Sequence, residues 1–421
     1  MATVLPFKAL RPAQDKVHLV ASRSIDGYNQ VELKEKLKGN PFTFLHVINP
    51  DFEDGNRTKP GSMERLVKVK RRFKSFVNEK IFKRDEQAAY YIYRQVKENN
   101  VYLGIIACTS IDDYMNGVIK IHEQTITQRE EKLKEYLEVC EFNAEPVLFC
   151  YPNDSEIDEL INDLSKSVPT YDFTTTDKVQ HTLWVVSHTK NVDRLSKRFE
   201  AIPSIYIADG HHRSASSALL GSIRRKNAKN FTGREAYNYY LGVFFAESQL
   251  KIYDYNRFVK DLGSITKNEL IEKLSAKFII RAVDDKIFKP SKKHEFSMYI
   301  DKTWYALEAK EGTYNSSDPV GSLDASILTE HILSPIFNIQ DLKTDQRIGF
   351  IPGVKGAEAL KQSVDEGKAA IAFGLFPVTM EHLKWIADTN NIMPPKSTWV
   401  EPKMRSGLII YSFDEELKSS F

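Results

Sequence analysis

The sequence predicts a mixed α/β protein of the α+β class. Short runs of β-branched and aromatic residues alternate along the chain with segments whose apolar residues recur at helical spacing. Such alternation is typical of α/β and α+β folds. With 421 residues and 42% hydrophobic content, the chain can bury a large core and is expected to form two lobes, residues 1–230 and 231–421.

In the first lobe, a charged helix is predicted over residues 31–38 because its pattern stops at Gly39-Asn40-Pro41. The aromatic and β-branched run 42–48 indicates a strand. Apolar runs on both sides of a polar turn at residues 98–100 indicate a hairpin. The patterns of this lobe then predict strands over 88–93 and 102–108, a helix over 126–142, a strand over 146–151, a helix over 155–164 and a strand over 181–187.

In the second lobe, the elements follow a polar, turn-rich junction at residues 227–233. Its apolar runs and helical periodicity predict a strand over 240–245, helices over 267–277 and 325–335, strands near 278, 297 and 304, a strand over 370–375 and a helix over 379–388. Residues 393–398, which include Pro394 and Pro395, are expected to form a loop; alternatively, these prolines end a helix.

The chemistry of the chain concentrates after a buried strand predicted over residues 204–208. There the sequence places five residues of polar or turn-forming type, Asp209, Gly210, His211, His212 and Arg213. Apolar Ala215, Ala218, Leu219 and Ile223 follow at the spacing of one helix face. The predicted unit is therefore a strand, a tight turn and a helix.

Such a turn is suited to bind an anion. The first amides of a helix have no intrahelical acceptor and carry the positive end of the helix dipole. Gly210 allows a close approach of the backbone to a ligand, and His211, His212 and Arg213 can donate to phosphate oxygens. Asp209 is either part of this site or only the N-cap of the helix. A metal site is disfavoured, because adjacent histidines point in different directions and no further His or Cys follows at ligand spacing.

The Asp-Gly-His-His-Arg turn resembles the signature of the free serine kinases, which share the fold of the ParB nucleotide-binding domain and sulfiredoxin. In that family the turn holds nucleotide phosphates. All five residues match, whereas Ser214 departs from an aromatic preference. The strand, helix and Pro395-Lys396-Ser397-Thr398 loop near the C-terminus are similar to the Pro-Lys-Thr-Thr ending of those kinases. The resemblance implies a ParB-like core with insertions, joined to a second α/β lobe.

Over nearly its whole length the chain resembles a bacterial family catalogued as domain of unknown function 1015. The similar segments are residues 5–12 (Leu-Pro-Phe-Lys-Ala-Leu-Arg-Pro), residues 39–47, the run Ile121-His122-Glu123-Gln124-Thr125, and the Asp-Gly-His-His-Arg turn. Since that family carries no assigned reaction, the expected reaction rests on the similarity to the serine kinases.

The kinase resemblance implies a phosphotransferase that interconverts serine and O-phosphoserine, with ATP or ADP and Mg²⁺ as cofactors and either direction open. It implies a carboxylate base early in the chain, for which Asp26 is the candidate and Asp15 the alternative. Asp26 is equally consistent with a plain Asp-Gly turn. His212 and Arg213 are the implied catalytic partners, and Lys396, Ser397 and Thr398 are implied to bind the phosphate or carboxylate of the amino acid.

The segment His122-Glu123 allows two interpretations. In one, both side chains contact the substrate or Mg²⁺. In the other, the segment only precedes a helix that Thr125 or Thr127 caps, with Glu130 or Glu131 reaching back to close a capping box. Spacing alone does not decide between them.

Composition limits the partners and the compartment. The net charge of +2 disfavours a standing polyanionic partner, and the basic run at residues 68–74 carries Val69 and Phe73 at helical spacing, which predicts a solvated helix face. Of three well-separated cysteines, Cys108 and Cys150 are expected to be buried thiols, and the sequence shows neither a signal peptide nor a long apolar span. These features indicate a cytoplasmic protein. A nucleotide-independent phosphoserine phosphatase and a non-catalytic ParB-like nucleotide-binding module remain alternatives.

Overall fold

A computed structural model of the chain describes residues 1–54, 57–283 and 287–414. The described residues form a mixed α/β fold, so the predicted class is confirmed. They divide into two compact units. The first unit contains Met1–Lys120, Thr125–Leu250 and the described residues from Pro402 onward, and the second contains Ile121–Gln124 and Lys251–Glu401.

This division differs from the predicted boundary between residues 230 and 231. The polar stretch around residue 230 connects a helix to strand Tyr239–Ala246, which pairs with two strands of the first unit. A surface connection within one unit has the same composition as a linker between units, because both expose their backbone to water.

The strands of the described residues are mostly short, and the longest lie in the first unit. In chain order they are β1 (Val4–Leu5), β2 (Leu10–Pro12), β3 (Phe82–Arg84), β4 (Tyr90–Lys97), β5 (Asn100–Ser110), β6 (Ile119–Lys120), β7 (Phe142–Asn143), β8 (Val147–Tyr151), β9 (Tyr171–Thr174), β10 (Gln180–Val186), β11 (Ile205–Asp209), β12 (Tyr239–Ala246), β13 (Lys251–Tyr253), β14 (Tyr255–Val259), β15 (Phe278–Val283), β16 (Glu295–Ile300), β17 (Thr303–Ala309), β18 (Ile348–Pro352), β19 (Ile371–Gly374), β20 (Trp399–Glu401) and β21 (Tyr411–Ser412).

The helices range from single turns to a 17-residue helix. In chain order they are α1 (Val17–Val20), α2 (Gln30–Gly39), α3 (Leu45–Ile48), α4 (Asp51–Asp54), α5 (Met63–Asn78), α6 (Ile111–Met115), α7 (Thr127–Cys140), α8 (Ser155–Leu164), α9 (Thr189–Glu200), α10 (His211–Asn227), α11 (Lys267–Ser275), α12 (Asp324–Leu328), α13 (Ser334–Phe337), α14 (Glu358–Asp365) and α15 (Met380–Asp388). A π-helical turn, Thr329–Leu333, joins α12 to α13.

The strand predicted over residues 42–48 is wrong, since this segment forms a turn and the short helix α3. Phe44 and Val47 are fully buried in a cluster with Phe73 and Phe82. A ring nitrogen of His46 lies 3.0 Å from the carbonyl oxygen of Leu37 at the end of α2. Burial against aromatic partners from distant segments overrides the local preference of aromatic and β-branched residues for strands.

The first unit is built on a mixed sheet, ordered β6-β11-β8-β12-β5-β4-β10-β9 in its described residues, with β1 paired to β5. Strand β11 runs parallel to β6 and antiparallel to β8, and β12 runs parallel to β8. The predicted hairpin is confirmed as β4 and β5, with Glu98 in the left-handed region at a φ of 54°. The second unit has an antiparallel sheet ordered β15-β17-β16-β19-β14-β18.

Helix α5 contains the basic run and buries an apolar face, in which Val69 and Phe73 are as predicted and Leu66 and Phe76 join them. The basic face is less solvated than predicted, since the side chains of Lys68 and Lys70 are only 14% and 29% exposed. Its lysines pair with carboxylates of the first unit. The Nζ of Lys68 lies 3.2 Å from Asp51, and that of Lys70 lies 2.7 Å from Glu141. Cys108 and Cys150 are buried as predicted; Cys140 is buried as well, and burial raises its pKa to about 12.

Helix α10 packs closely on its neighbours because small residues line its buried side. Ser214, Ala215, Ser216, Ser217, Ala218 and Gly221 are buried there. A Cβ on Gly221 would overlap the Cδ1 of Ile111 and lie 2.8 Å from the carbonyl oxygen of Tyr237. The absence of a side chain at this position therefore sets how near α10 lies to α6.

Residues 402–414, here called the C-terminal strap, return to the first unit after the second. Its backbone pairs with Ser22 through Ser406, with Leu10 through Ile410 and with β7 through β21. Arg405 is its buried anchor: its guanidinium NH2 lies 2.8 Å from Asp177, and its Nε donates to Nε2 of His181 at 3.1 Å.

The contacts of His181 determine its protonation state. Because a guanidinium Nε–H can only donate, Nε2 of His181 must accept, and the ring proton is on Nδ1, 2.7 Å from the hydroxyl of Tyr93. The hydroxyl of Tyr93 donates in turn to Gln95 at 3.0 Å. Burial and the charge of Arg405 lower the pKa of His181 to about 3, so the ring is neutral in the folded protein at neutral pH.

The packing of α10 predicts that Gly221→Val destabilises the protein by about 1–3 kcal/mol, because the added methyl groups overfill the contact with Ile111 and Tyr237. Gly39→Val is the matched control, since a Cβ on Gly39 meets no atom within 4 Å. Thermal unfolding followed by circular dichroism should show a lower Tm for the first variant only. Equal Tm values for the two variants would contradict the packing argument.

The buried, neutral His181 predicts a pH-dependent stability. A histidine in the unfolded chain is protonated below about pH 6.5, whereas His181 in the folded protein is protonated only near pH 3. The free energy of unfolding therefore falls as the pH drops from about 6.5 towards 3. The slope is up to about 1.4 kcal/mol per pH unit. Urea unfolding at pH 7.5 and 5.0 should show a loss about 2 kcal/mol larger for wild type than for His181→Asn. Parallel losses would exclude this role of His181.

Candidate functional site

The predicted strand, tight turn and helix are confirmed as β11, Gly210 and α10. The register between β11 and β8 shifts between Ile207 and Asp209, so β11 ends in a bulge that turns the chain out of the sheet. Gly210 then adopts a φ of +109°, a backbone conformation that L residues rarely adopt. A Cβ at this position would lie 3.0 Å from the guanidinium of Arg213. Both facts explain glycine at the turn.

The alternative in which Asp209 caps the helix is wrong. Gly210 is the N-cap of α10 and makes no side-chain capping bond, while Asp209 is the last residue of β11. The carboxylate of Asp209 instead accepts a hydrogen bond from Nζ of Lys403 at 3.0 Å. The guanidinium of Arg213 lies 3.8 Å from its other oxygen. Two cations therefore flank this carboxylate.

These cations keep Asp209 ionised. Burial alone would raise the pKa of Asp209, but the charges of Lys403 and Arg213, together with the hydrogen bond from Lys403, lower it to about 2. The side chains of Asp209 and Lys403 remain 42% and 41% exposed, so solvent reaches the pair. One carboxylate and two cations give the turn a net positive charge.

Arg213 holds a fixed position in the first turn of α10. Its NH1 donates to the carbonyl oxygen of Pro146, just before β8, and its backbone N–H donates to the carbonyl of Gly210 at 2.9 Å. His211 is buried, whereas His212 is half-buried. The positive end of the dipole of α10, the guanidinium of Arg213 and the half-buried His212 thus belong to one turn, an arrangement that favours binding of an anion.

Lys403 is the residue of this site that sequence reasoning missed. It lies 194 positions from Asp209 in the sequence and outside any recognisable motif. A lysine in an irregular C-terminal segment carries no signal that would distinguish it from a solvated surface lysine. Only the path of the strap through the first unit brings it to the turn.

The Lys396-Ser397-Thr398 loop lies in the second unit and has its own internal bonds. The hydroxyl of Ser397 donates to the carbonyl of Pro394 at 2.8 Å, and the buried Arg257 donates to the carbonyl of Lys396 at 3.3 Å. Lys396 has a φ of 59°, and its Nζ lies 5.5 Å from the ring centroid of Tyr255. The alternative that these prolines end a helix is wrong, because α15 ends at Asp388. The segment is a loop whose backbone is held by hydrogen bonds from Ser397 and Arg257.

His122 and Glu123 also belong to the second unit. The carbonyl of His122 accepts from the backbone N–H of Met393 at 2.8 Å, which brings this segment beside the Lys396 loop. His122 is buried and Glu123 is exposed. The capping-box interpretation is wrong, since Ile126 is the N-cap of α7 and no side chain caps this helix. The structure thus groups two of the predicted substrate-binding segments within one unit.

Asp26 and Asp15 are both exposed residues of the first unit. Asp26 lies in a 3₁₀ turn, Ile25–Gly27, shortly after the Ser22 that pairs with the strap. Asp15 forms an ion pair with Lys16 at 2.8 Å, and the hydrogen bond from Lys16 lowers the pKa of Asp15. It follows Gln14, which lines a cleft of about 630 Å³.

The described residues contain neither a metal-binding group of side chains nor a membrane-spanning helix. Across residues 1–54, 57–283 and 287–414, no three or more His, Cys, Asp or Glu side chains are grouped so that they could hold a metal ion. Among the helices of this described part, none combines the length and apolar character needed to cross a bilayer.

Comparisons with known proteins show similarity to one family and to a few solved structures. A free serine kinase in complex with AMP aligns at 15% identity and a TM-score of 0.37, covering 74% of this chain and 93% of that one. A conserved hypothetical protein from Pyrococcus furiosus aligns at 15% identity and a TM-score of 0.36, covering 76% and 98%. SbnI with a C-terminal truncation, from Staphylococcus aureus, aligns at 11% identity and a TM-score of 0.37, covering 70% and 82%.

No curated protein matches the chain. The model of one protein family, described as "Protein of unknown function (DUF1015)", matches residues 4–326. This match spans most of the sequence and includes both the Asp-Gly-His-His-Arg turn and the His122 segment. The chain belongs to the DUF1015 family.

Proposed function

We propose that this protein is a phosphotransferase that interconverts L-serine and O-phosphoserine with an adenine nucleotide, ATP or ADP, and Mg²⁺. One observation carries the proposal: Lys403, Arg213 and the N-terminus of α10 surround the ionised Asp209 in a solvent-accessible turn. The resemblance of the Asp-Gly-His-His-Arg sequence to the free serine kinases supports serine as the substrate.

In the proposed reaction, the serine hydroxyl attacks the terminal phosphorus of the nucleotide. A P–O bond to serine forms as the bond to the leaving phosphate oxygen breaks, and the hydroxyl proton passes to a carboxylate base. Such a reaction requires positioning and positive charge more than covalent participation. The backbone amides after Gly210, the guanidinium of Arg213 and the ring of His212 would neutralise the phosphoryl oxygens, while Mg²⁺ would bind the nucleotide phosphates.

The roles of the other candidates follow from the same scheme. Asp26 is the proposed base and Asp15 the alternative; both are exposed carboxylates of the unit that contains the turn. Lys396, Ser397, Thr398, His122 and Glu123 are the proposed amino-acid contacts. The bond between Met393 and His122 supports treating these two segments as one substrate-binding region.

The decisive experiment incubates purified protein and Mg²⁺ with phosphoserine, with and without ADP, and with serine plus ATP. Serine, phosphate and nucleotides are then quantified. Nucleotide-dependent transfer of the phosphoryl group in either direction is the expected result. Release of inorganic phosphate without nucleotide would identify a phosphatase instead, and nucleotide binding without turnover would identify a non-catalytic module.

His212→Ala is expected to lower turnover at least 100-fold and leave the Tm unchanged within about 1–2 °C, because general acid–base or charge-stabilising side chains typically contribute about 10²–10⁴ in rate. His188→Ala is the matched control, since His188 is an exposed histidine at the start of α9. The steady-state turnover of wild type and of both variants is measured at saturating serine and ATP. Full activity of His212→Ala would remove this turn from the active site.

A further inference from the structure

We propose that Lys403 is a second cation of the phosphate site, beside Arg213, and that the Arg405 ion pair positions it there. This inference rests on the proposed function, since it assigns further residues to the same site. Lys403 and Arg405 both belong to the C-terminal strap, and neither is part of the Asp-Gly-His-His-Arg turn.

The position of Lys403 places a charged side chain beside the helix N-terminus. Its Nζ lies 3.0 Å from Asp209, the residue that directly precedes the N-cap Gly210. A lysine ammonium carries three N–H donors and a full positive charge, both of which suit it to the oxygen atoms of a phosphate. Asp209 on its own would repel an anion at the first turn of α10. The two positive charges of Lys403 and Arg213 outweigh the negative charge of Asp209, so the turn attracts an anion.

The Lys403–Asp209 ion pair is a poor candidate for a purely structural role. Both side chains are about two-fifths exposed, and pairs this exposed contribute little to stability, since water screens them. A cation in the same place changes anion binding much more, because charge near a helix N-terminus acts directly on the bound ligand. The geometry therefore favours a role in binding.

Arg405 has the opposite character. Its side chain is only 6% exposed, and its NH2 contacts both oxygens of Asp177 at 2.8 and 2.9 Å and the hydroxyl of Thr175 at 3.1 Å. Its Nε donates to the neutral His181. A planar guanidinium held on two edges has little freedom to move. The backbone of the strap is thereby fixed two residues from Lys403.

The next residues of the strap are fixed as well. The backbone of Ser406 exchanges hydrogen bonds with Ser22, and the N–H of Gly407 donates to the carbonyl of Ala144 at 3.1 Å. On the other side of Lys403, Pro402 restricts the backbone through its ring. The backbone is therefore restricted on both sides of Lys403, which keeps its ammonium group near Asp209.

Binding of ADP and of adenosine, measured by isothermal titration calorimetry, tests the role of Lys403. Lys403→Met keeps the length of the side chain and removes its charge; it should weaken ADP binding at least tenfold and leave adenosine binding unchanged. Lys403→Arg should retain most of the ADP affinity. Lys8→Met, which removes an exposed lysine of the first unit, is the control and should bind both ligands as wild type does.

A double-mutant cycle tests the role of Arg405. Arg405→Gln should weaken ADP binding in the wild-type background and have no further effect in the Lys403→Met background, because Arg405 acts through Lys403. Arg405→Lys serves if Arg405→Gln does not fold. Independent, additive losses from the two substitutions would mean that Arg405 acts through stability alone and would overturn this part of the proposal.

The outcomes separate this inference from the function on which it rests. If wild type binds ADP and Lys403→Met binds it equally well, the role of Lys403 is refuted while the proposed function stands. If wild type binds neither ADP nor ATP, both proposals are overturned. ADP binding that requires Lys403, without phosphoryl transfer in the serine assay, would uphold the site and refute only the reaction.

Discussion

An ionised carboxylate lies at the point where β11 leaves the sheet and α10 begins, and its charge has to be balanced. Asp209 follows a run of buried residues and precedes a glycine whose φ excludes most other residues. Arg213 approaches from one turn further along the helix, and Lys403 from the far end of the described chain. The bulge in β11, the small residues of α10 and the route of the strap all bring these charges together.

The balance of charge explains why this turn suits an anion such as phosphate better than it suits a cation. Both histidines precede Arg213 directly, and the dipole of a 17-residue helix adds its positive end at the same place. Asp209 orients its two cations and lowers their mutual repulsion. Without Asp209, the like charges of Lys403 and Arg213 would lie close together with no carboxylate between them. Their repulsion would favour side-chain conformations that point into solvent.

Much of this arrangement could be predicted from local sequence. The buried run, the glycine and the small apolar face of α10 identify the strand, turn and helix, because each is a short-range signal. Helix α8 has the bounds that its periodicity predicts, Ser155–Leu164. The helical turn around Phe44 could not be predicted in this way, since its burial depends on aromatic residues from segments far along the chain.

The residues of the candidate site also differ in whether local sequence could predict them. His211, His212 and Arg213 were accessible to sequence reasoning because they are contiguous, and Lys403 was not, because its partner is 194 positions away. The capping role considered for Asp209 failed for a related reason. A local rule favours aspartate as an N-cap, yet a distant lysine occupies its carboxylate.

The discontinuity of the first unit has a consequence for the order of folding. The second unit comprises residues 121–124 and 251–401, so the strap follows the whole of that unit in the chain and is synthesised after it. The sheet strands up to β12 can pair before then, whereas contacts between the strap and β10 or β11 close very long loops and pay their entropy last. The turn that opens α10 would therefore form while Asp209 has Arg213 beside it but not yet Lys403. It would acquire its second cation only when residues 402–414 have docked on the first unit, which couples completion of the anion site to the docking of the strap.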